Sequence, residues 1–315
     1  MQDILPRTVT ELGQINKFVH ENADLRIKID MEIFASKIAK IAHFILQNRN
    51  FKMILLAGPS GSGKTTTAKM LEAEILKSGT NAAVISLDHF FVRNETTPKN
   101  LDGTYNYESI HALDLTSLQK SLRDLMAKNT CKIPDFCFKT KGRIGETEVD
   151  LGEGGIAIVE GIHALNPLIL NDLPAENIFK IFVSVQSGIF ENDELILSPR
   201  EMRLIRRMVR DFNFRHASAE LTLSMWAGVA KGEKEFIYPH KSTADVSINS
   251  MHSFEPCLFA QKAIELFEGV KFNMTGYDLA QKIAKNLKKF AQIDEKILPK
   301  ESLMREFIGG GIFKY

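Results

Sequence analysis

The chain has 315 residues, 44% hydrophobic and 25% charged, enough for one large α/β domain or two smaller ones with a sizeable core. A formal net charge of +1 offers no global field for nucleic acid or an anionic membrane, so any attraction for anions must be local. Cys131, Cys137 and Cys257 form no metal-type pair, no apolar run approaches the roughly 20 residues of a membrane span, and "MQDILPRTVTELGQ" has no apolar signal core. The expectation is a cytoplasmic protein with neither nucleic-acid nor membrane partners.

Ile33, Phe34, Ile38, Ile41, Ile45 and Leu46 recur at helical spacing in "DMEIFASKIAKIAHFILQN", which predicts a helix with Asp30 as its N-cap. "KMILLAG" (52–58) reads as a buried strand, followed by a helix from Gly63 to about Lys77. "NAAVISLD" (81–88) is a second strand, 93–106 a polar loop, and "LDLTSLQKSLRDLMAK" (113–128) an amphipathic helix. "CKIPDFCFKT" and "IGETEVDL" are short strands about the turn "KGR". "GIAIVEG" (155–161), "FKIFVSV" (179–185) and "TADVSIN" (243–249) are further strands. A basic helix spans about 198–213, and two more lie near 255–268 and 276–290. Strands alternating with helices predict a three-layer α/β fold with a mostly parallel central sheet. The expected division is an N-terminal helical extension (1–50), a main domain (51–250), and C-terminal helices with a Gly-rich tail (251–315) packed on that domain. The Gly309–Gly311 run is expected to be a flexible turn.

Gly58-Pro59-Ser60-Gly61-Ser62-Gly63-Lys64-Thr65 matches GxxxxGK[ST] between an apolar strand and a helix. Glycines let backbone N–H groups turn inward around phosphate oxygens, at the positive end of the helix dipole. Lys64 can reach the outer phosphates and the Thr65 hydroxyl suits Mg²⁺. No guanine-reading NKxD occurs, which favours an ATP-dependent kinase or module over a GTPase.

Asp88 closes the second strand in "SLDHFF", at the sheet edge where ligands bind. It reads equally as an acceptor base that also helps hold Mg²⁺ or as a turn aspartate. Glu160 ends the strand in "IVEGIH" as a second carboxylate for the metal, with Asp150 and Glu153 as rivals only if that strand is misplaced. Arg203, Arg206, Arg207 and Arg210 share a helical face, with Arg215 beyond, and only Glu201 and Asp211 lie nearby to balance them. A lid closing arginines over the transferring phosphoryl group is favoured over a solvated face. Trp226 is expected in the core, and His89 and His163 are expected to make local hydrogen bonds.

Together these stretches resemble the uridine kinase branch of the P-loop kinases, which also includes phosphoribulokinase. The resemblance is collinear over about 52–250 and implies the P-loop NTPase-like fold with a helical lid. "GPSGSGKTT" is similar to the family's phosphate loop and brings Thr66 into the nucleotide site. "SLDHFF" implies that Asp88 is the general base for a ribose 5′-hydroxyl. "TYNYESIHALDL" resembles the ribose-binding segment, with Tyr107 and Glu108, and "FCFKTKGR" the base-binding hairpin, ending in Arg143. "RLIRRMVRDFNFR" resembles the lid helix and implies phosphate contacts for Arg207, Arg210 and Arg215. "FIYPHKSTADVSIN" is similar to the closing segment, with Lys241 and Asp245 at matching places.

Departures fall on the acceptor side. Glu108 replaces the usual aspartate, Phe91 a tyrosine, and Phe136 and Lys141 a tyrosine and a histidine that read the pyrimidine. The pattern is especially similar to a bacterial uridine kinase-like subgroup, through "EGIHALNP", "RLIRRMVRD" and "REFIGG". Members often carry an N-terminal portion similar to part of threonyl-tRNA synthetase, which this chain is expected to lack. The resemblance implies an ATP- and Mg²⁺-dependent kinase acting on the 5′-hydroxyl of uridine, cytidine or a related nucleoside. It also raises a homo-oligomer, since relatives of this fold are frequently dimers or tetramers. Lys139, Lys141 and Arg143 keep open a sister kinase for a phosphorylated sugar, and a nucleotide-binding regulatory module without turnover is the reading from another class.

Overall fold

Residues Met53–Ala57 (β1) and Ile156–Glu160 (β5) are buried at every position, the signature of strands covered by helices on both faces. The computed structural model describes residues 9–100, 103–137, 142–170 and 173–313. The other strands are β2 (Ala82–Ser86), β3 (Thr130–Cys137), β4 (Gly142–Asp150), β6 (Ile178–Ser184), β7 (Ile189–Glu191), β8 (Glu194–Leu197) and β9 (Val246–Asn249). The helices are α1 (Leu12–Gln47), α2 (Lys64–Lys77), α3 (Leu115–Lys128), α4 (Pro167–Leu170), α5 (Pro199–Arg215), α6 (Ala219–Gly232), α7 (Glu255–Glu268), α8 (Tyr277–Leu287) and α9 (Arg305–Ile308).

The central sheet runs β2-β5-β1-β6-β9, and every pairing in it is parallel. Alternate residues of β1 feed opposite cores. Ile54 and Leu56 join the cluster containing α1, α2, α5, α7 and α8, while Met53, Leu55 and Ala57 join that of α3 and β3. The chain leaves β1 toward β2 on one side and reaches β6 on the other, so the crevice at the strands' carboxyl ends opens directly after β1. This is the expected α/β fold with a mostly parallel sheet. No described helix is long and apolar enough to cross a membrane.

Helix α1 starts at Leu12, well before Asp30, and only a non-helical Asn22 interrupts it. Asp30 is therefore not an N-cap of its own helix. It is buried, pairs with Arg26 one turn back, and accepts from Ser253 N (2.7 Å) and Ser253 Oγ (2.6 Å) just ahead of α7. It thereby ties α1 to the turn that leads into α7, whose N-cap is Phe254. The hairpin β7–β8 was not foreseen either, although Asn192 and Asp193 (φ 49° and 65°) carry the two-residue turn that such hairpins prefer. Trp226 is buried as expected, with the Arg203 guanidinium 5.6 Å from its ring centroid.

Candidate active site

The loop between β1 and α2 ends on Gly63, which adopts φ +80°, a conformation that L side chains rarely take. The N-cap Gly63 brings no side chain to the start of α2, so the first-turn N–H groups depend on an acceptor from elsewhere. Three arginines of α5 grip the loop: Arg203 Nη1 donates to Ser60 O (3.0 Å), Arg206 Nη1 to Gly61 O (3.2 Å), and Arg207 Nη1 to Ser60 Oγ (3.0 Å).

The basic face of α5 is thus divided. Arg203 and Arg206 are 2% and 0% exposed and are matched by residues far along the chain. Arg203 Nη2 meets Glu233 Oε2 at 2.8 Å, and Arg206 Nε meets Glu255 Oε2 at 2.8 Å. These two brace the loop from behind and are not part of an arginine face turned to a ligand. Arg207, Arg210 and Arg215 instead gather on Asp211, at 3.2, 2.7 and 3.6 Å.

Asp88 lies just past β2 in the tight turn Leu87–Phe90, where its N–H donates to Ser86 Oγ at 3.4 Å. Glu160 is 3% exposed and accepts from Thr65 Oγ1 at 3.3 Å. Burial pushes its carboxyl up to about 7 against the pull of Lys64, and Asp88 adds to the rise. Burial also pushes Glu108 up to about 7, with Arg207 and Lys64 opposing and Glu233 and Asp88 adding. Lys64 and Asp88 therefore act on both carboxylates, and the four groups share one electrostatic site. Glu108 packs so tightly on α6 that a Cβ at Gly232 would stand 2.3 Å from its own. Asp150 and Glu153 are exposed and precede β5, at the end of the sheet opposite its carboxyl edge.

Phe91 holds the acceptor-side aromatics together, 6.2 Å from Tyr107 and 6.0 Å from Phe136 between ring centroids. Arg143 lies on β4 and is committed to Asp114, the N-cap of α3, at 2.6 Å. Lys139 and Lys141 fall outside the described residues. His163 is buried against the backbone of Glu108 and Ser109, and burial pulls its ring down to about 4.

Ser62 Oγ, Glu108 Oε2 and Glu160 Oε2 are sealed from solvent without a hydrogen-bond partner. Buried polar atoms are normally satisfied, and these three lie around the phosphate loop and its neighbouring carboxylates. Hard oxygens on Thr65 and Glu160 suit Mg²⁺, which binds through one or two carboxylates plus substrate phosphates and not through an all-protein cage. No group of three His, Cys, Asp or Glu that could form such a cage occurs among the described residues.

Local sequence did not point to Glu233, Glu255 or Glu306. The first two answer arginines on another helix. Glu306, in the "REFIGG" stretch, accepts from Thr66 N (3.1 Å) and Thr66 Oγ1 (2.6 Å) on the phosphate-loop helix.

A phosphate loop braced by arginines, with carboxylates on the neighbouring strand ends, defines a phosphoryl-transfer site. The model of the phosphoribulokinase / uridine kinase family matches residues 53–255. The uridine kinase of Ureaplasma parvum serovar 3 is 30% identical over 197 residues, 62% of this chain and 86% of that protein. Uridine-cytidine kinase B of Dictyostelium discoideum is 31% identical over 199 residues, covering 62% and 73%. The chain belongs to the phosphoribulokinase / uridine kinase family: it is a kinase acting on a hydroxyl of a small molecule, with ATP as the donor the family implies. A solved phosphoribulokinase from Rhodobacter spheroides aligns with a TM-score of 0.44 and 17% identity, covering 64% of this chain and 70% of that one.

Proposed function

We propose that the acceptor is the 5′-hydroxyl of a pyrimidine nucleoside, uridine or cytidine. The observation that carries this reading is the half-buried Glu108, whose Oε2 is sealed from solvent without a hydrogen-bond partner and which feels Arg207, Lys64 and Asp88. A ribose brings two hydroxyl donors to such an acceptor, and the names of the curated relatives point to the same class of substrate. The aromatic group of Phe91, Tyr107 and Phe136 supplies a wall for the base.

In this reading the acceptor oxygen bonds to the γ-phosphorus of ATP, the bond to the β-phosphate oxygen breaks, and ADP leaves. Asp88 takes the acceptor's proton, while Lys64, Arg207, Arg210 and Arg215 stabilise charge on the transferring group. Thr65 and Glu160, with Asp88, would hold Mg²⁺, which when bound neutralises charge on the phosphates. A phosphorylated sugar would have to draw Arg143 away from Asp114, so that ion pair favours a neutral acceptor. Residues 51–250 are taken as the kinase unit, with 1–50 as a helical extension and 251–315 packed on it. The sharing of one hydrophobic cluster by α1, α7 and α8 with α2 supports the packing of both flanking segments on that unit.

The test is purified protein with Mg-ATP against uridine, cytidine, other nucleosides and sugar phosphates, following ADP release. Turnover with uridine or cytidine is expected. Turnover confined to a phosphorylated sugar would overturn the acceptor, and silence with every acceptor would favour a regulatory module.

A further inference from the structure

The C-terminal segment ends on the phosphate loop. Leu303, Met304 and Phe307 are buried, and the Leu303 methyls lie 2.8 and 2.9 Å from where a Gly63 Cβ would stand. Phe307 packs edge-on against Phe259 at 6.2 Å and lies under the Arg206 guanidinium at 5.4 Å. Asn213 Nδ2 of α5 donates to Phe307 O at 3.3 Å, and Arg305 ties the surrounding backbone by donating to Glu295 O, Leu298 O and Gly309 O.

The same segment carries a carboxylate onto the first turn of α2. Glu306 Oε2 accepts both the N–H and the hydroxyl of Thr66, in the first turn of α2. Those donors, at a helix N-terminus behind a glycine loop, are the kind that receive an inner phosphate of a nucleotide. A carboxylate is a smaller anion on the same hydrogen bonds. Glu306 is itself only half-buried, so its side chain can turn away while Phe307 and Met304 keep the segment anchored.

We infer that Glu306 is a displaceable stand-in for a donor phosphate, a residue that sets nucleotide affinity by competing for Thr66. The inference rests on the kinase reading of the loop. An incoming nucleotide must lift Glu306 from Thr66, and the carboxylate returns as ADP leaves. Because ATP and ADP both bring the inner phosphates, the competition weakens both by the same factor. It leaves the acceptor untouched and makes no difference to adenosine, which has no phosphate.

The test uses the full chain and its variants Glu306→Gln and Glu306→Ala, checked for folding by circular dichroism, with calorimetric titration of Mg-ATP, Mg-ADP and adenosine. Losing a charge-assisted competitor is expected to tighten ATP and ADP about tenfold in Glu306→Ala. Glu306→Gln, whose neutral amide oxygen still accepts, should fall between it and the unaltered chain. Acceptor KM should stay unchanged. ATP affinity that is equal or weaker in folded Glu306→Gln and Glu306→Ala would overturn the inference while leaving the kinase reading intact. An equal gain for adenosine would overturn it too, by showing a steric cover in place of phosphate competition. Folded proteins that bind no nucleotide in any of the three forms would remove the kinase reading itself, and the inference with it.

Discussion

The donor and acceptor halves of the site are built on different principles. The phosphate loop is gripped through its own carbonyls by Arg203 and Arg206, each fully buried and each matched by a glutamate from another element. The acceptor half has the half-buried carboxylate of Glu108 and a hairpin whose strand β4 is exposed from Arg143 to Glu148. Substitutions around the loop disturb charges that cannot reach water, whereas substitutions on the hairpin are cheap.

The strongest way to break the comparison is at Asp88, a group whose charge reaches both halves. Asp88→Ala should lower kcat about 10²- to 10⁴-fold while ATP affinity changes little, as steady-state kinetics and calorimetry would read. Unaltered turnover would mean that Asp88 is a turn residue and not the base. The rigidity of the donor half can be tested by urea unfolding of Arg206→Met. It strands Glu255, whose carboxyl burial already pushes up to about 7, and should cost about 3–5 kcal/mol.

A pH series sharpens the acceptor half. The Glu108 carboxyl has its ordinary value near 4.5 when unfolded and about 7 when folded. As pH rises from 4.5 to 7 the unfolded chain gives up a proton that the native chain retains, so this group lowers stability progressively and fully above 7. Glu108→Gln should therefore match the unaltered protein near pH 4.5 and exceed it by on the order of 2 kcal/mol above pH 7. The same variant should raise acceptor KM. A stability difference that does not vary with pH would contradict the shifted carboxyl. The smallest effect belongs to Arg143→Ala, whose surface pairing with Asp114 should be worth less than about 1 kcal/mol in the same unfolding assay.

Much of this was readable in the chain as letters, and the reasons are local. The apolar runs at Met53–Ala57 and Ile156–Glu160 fold as strands because helices cover both their faces, and the glycine loop sits between strand and helix because its phosphate chemistry requires that order. Asp30 was readable as an acceptor for backbone N–H but its partner was not, since Ser253 lies 223 positions away. The arginine spacing on α5 was legible, but its division was not. Spacing puts side chains on one helix face without saying which will be buried against glutamates from other elements.

The amino-acid sequence by itself determined the sheet, the loop and the strand-end carboxylates, because each depends on neighbours a few residues away. Tertiary structure alone decided which charges are paired, that Glu108 and Glu160 share the influence of Lys64 and Asp88, and that Glu306 rests on Thr66 from 240 residues downstream. Ion pairing and desolvation act through space, in an interior that exists only once the chain has folded.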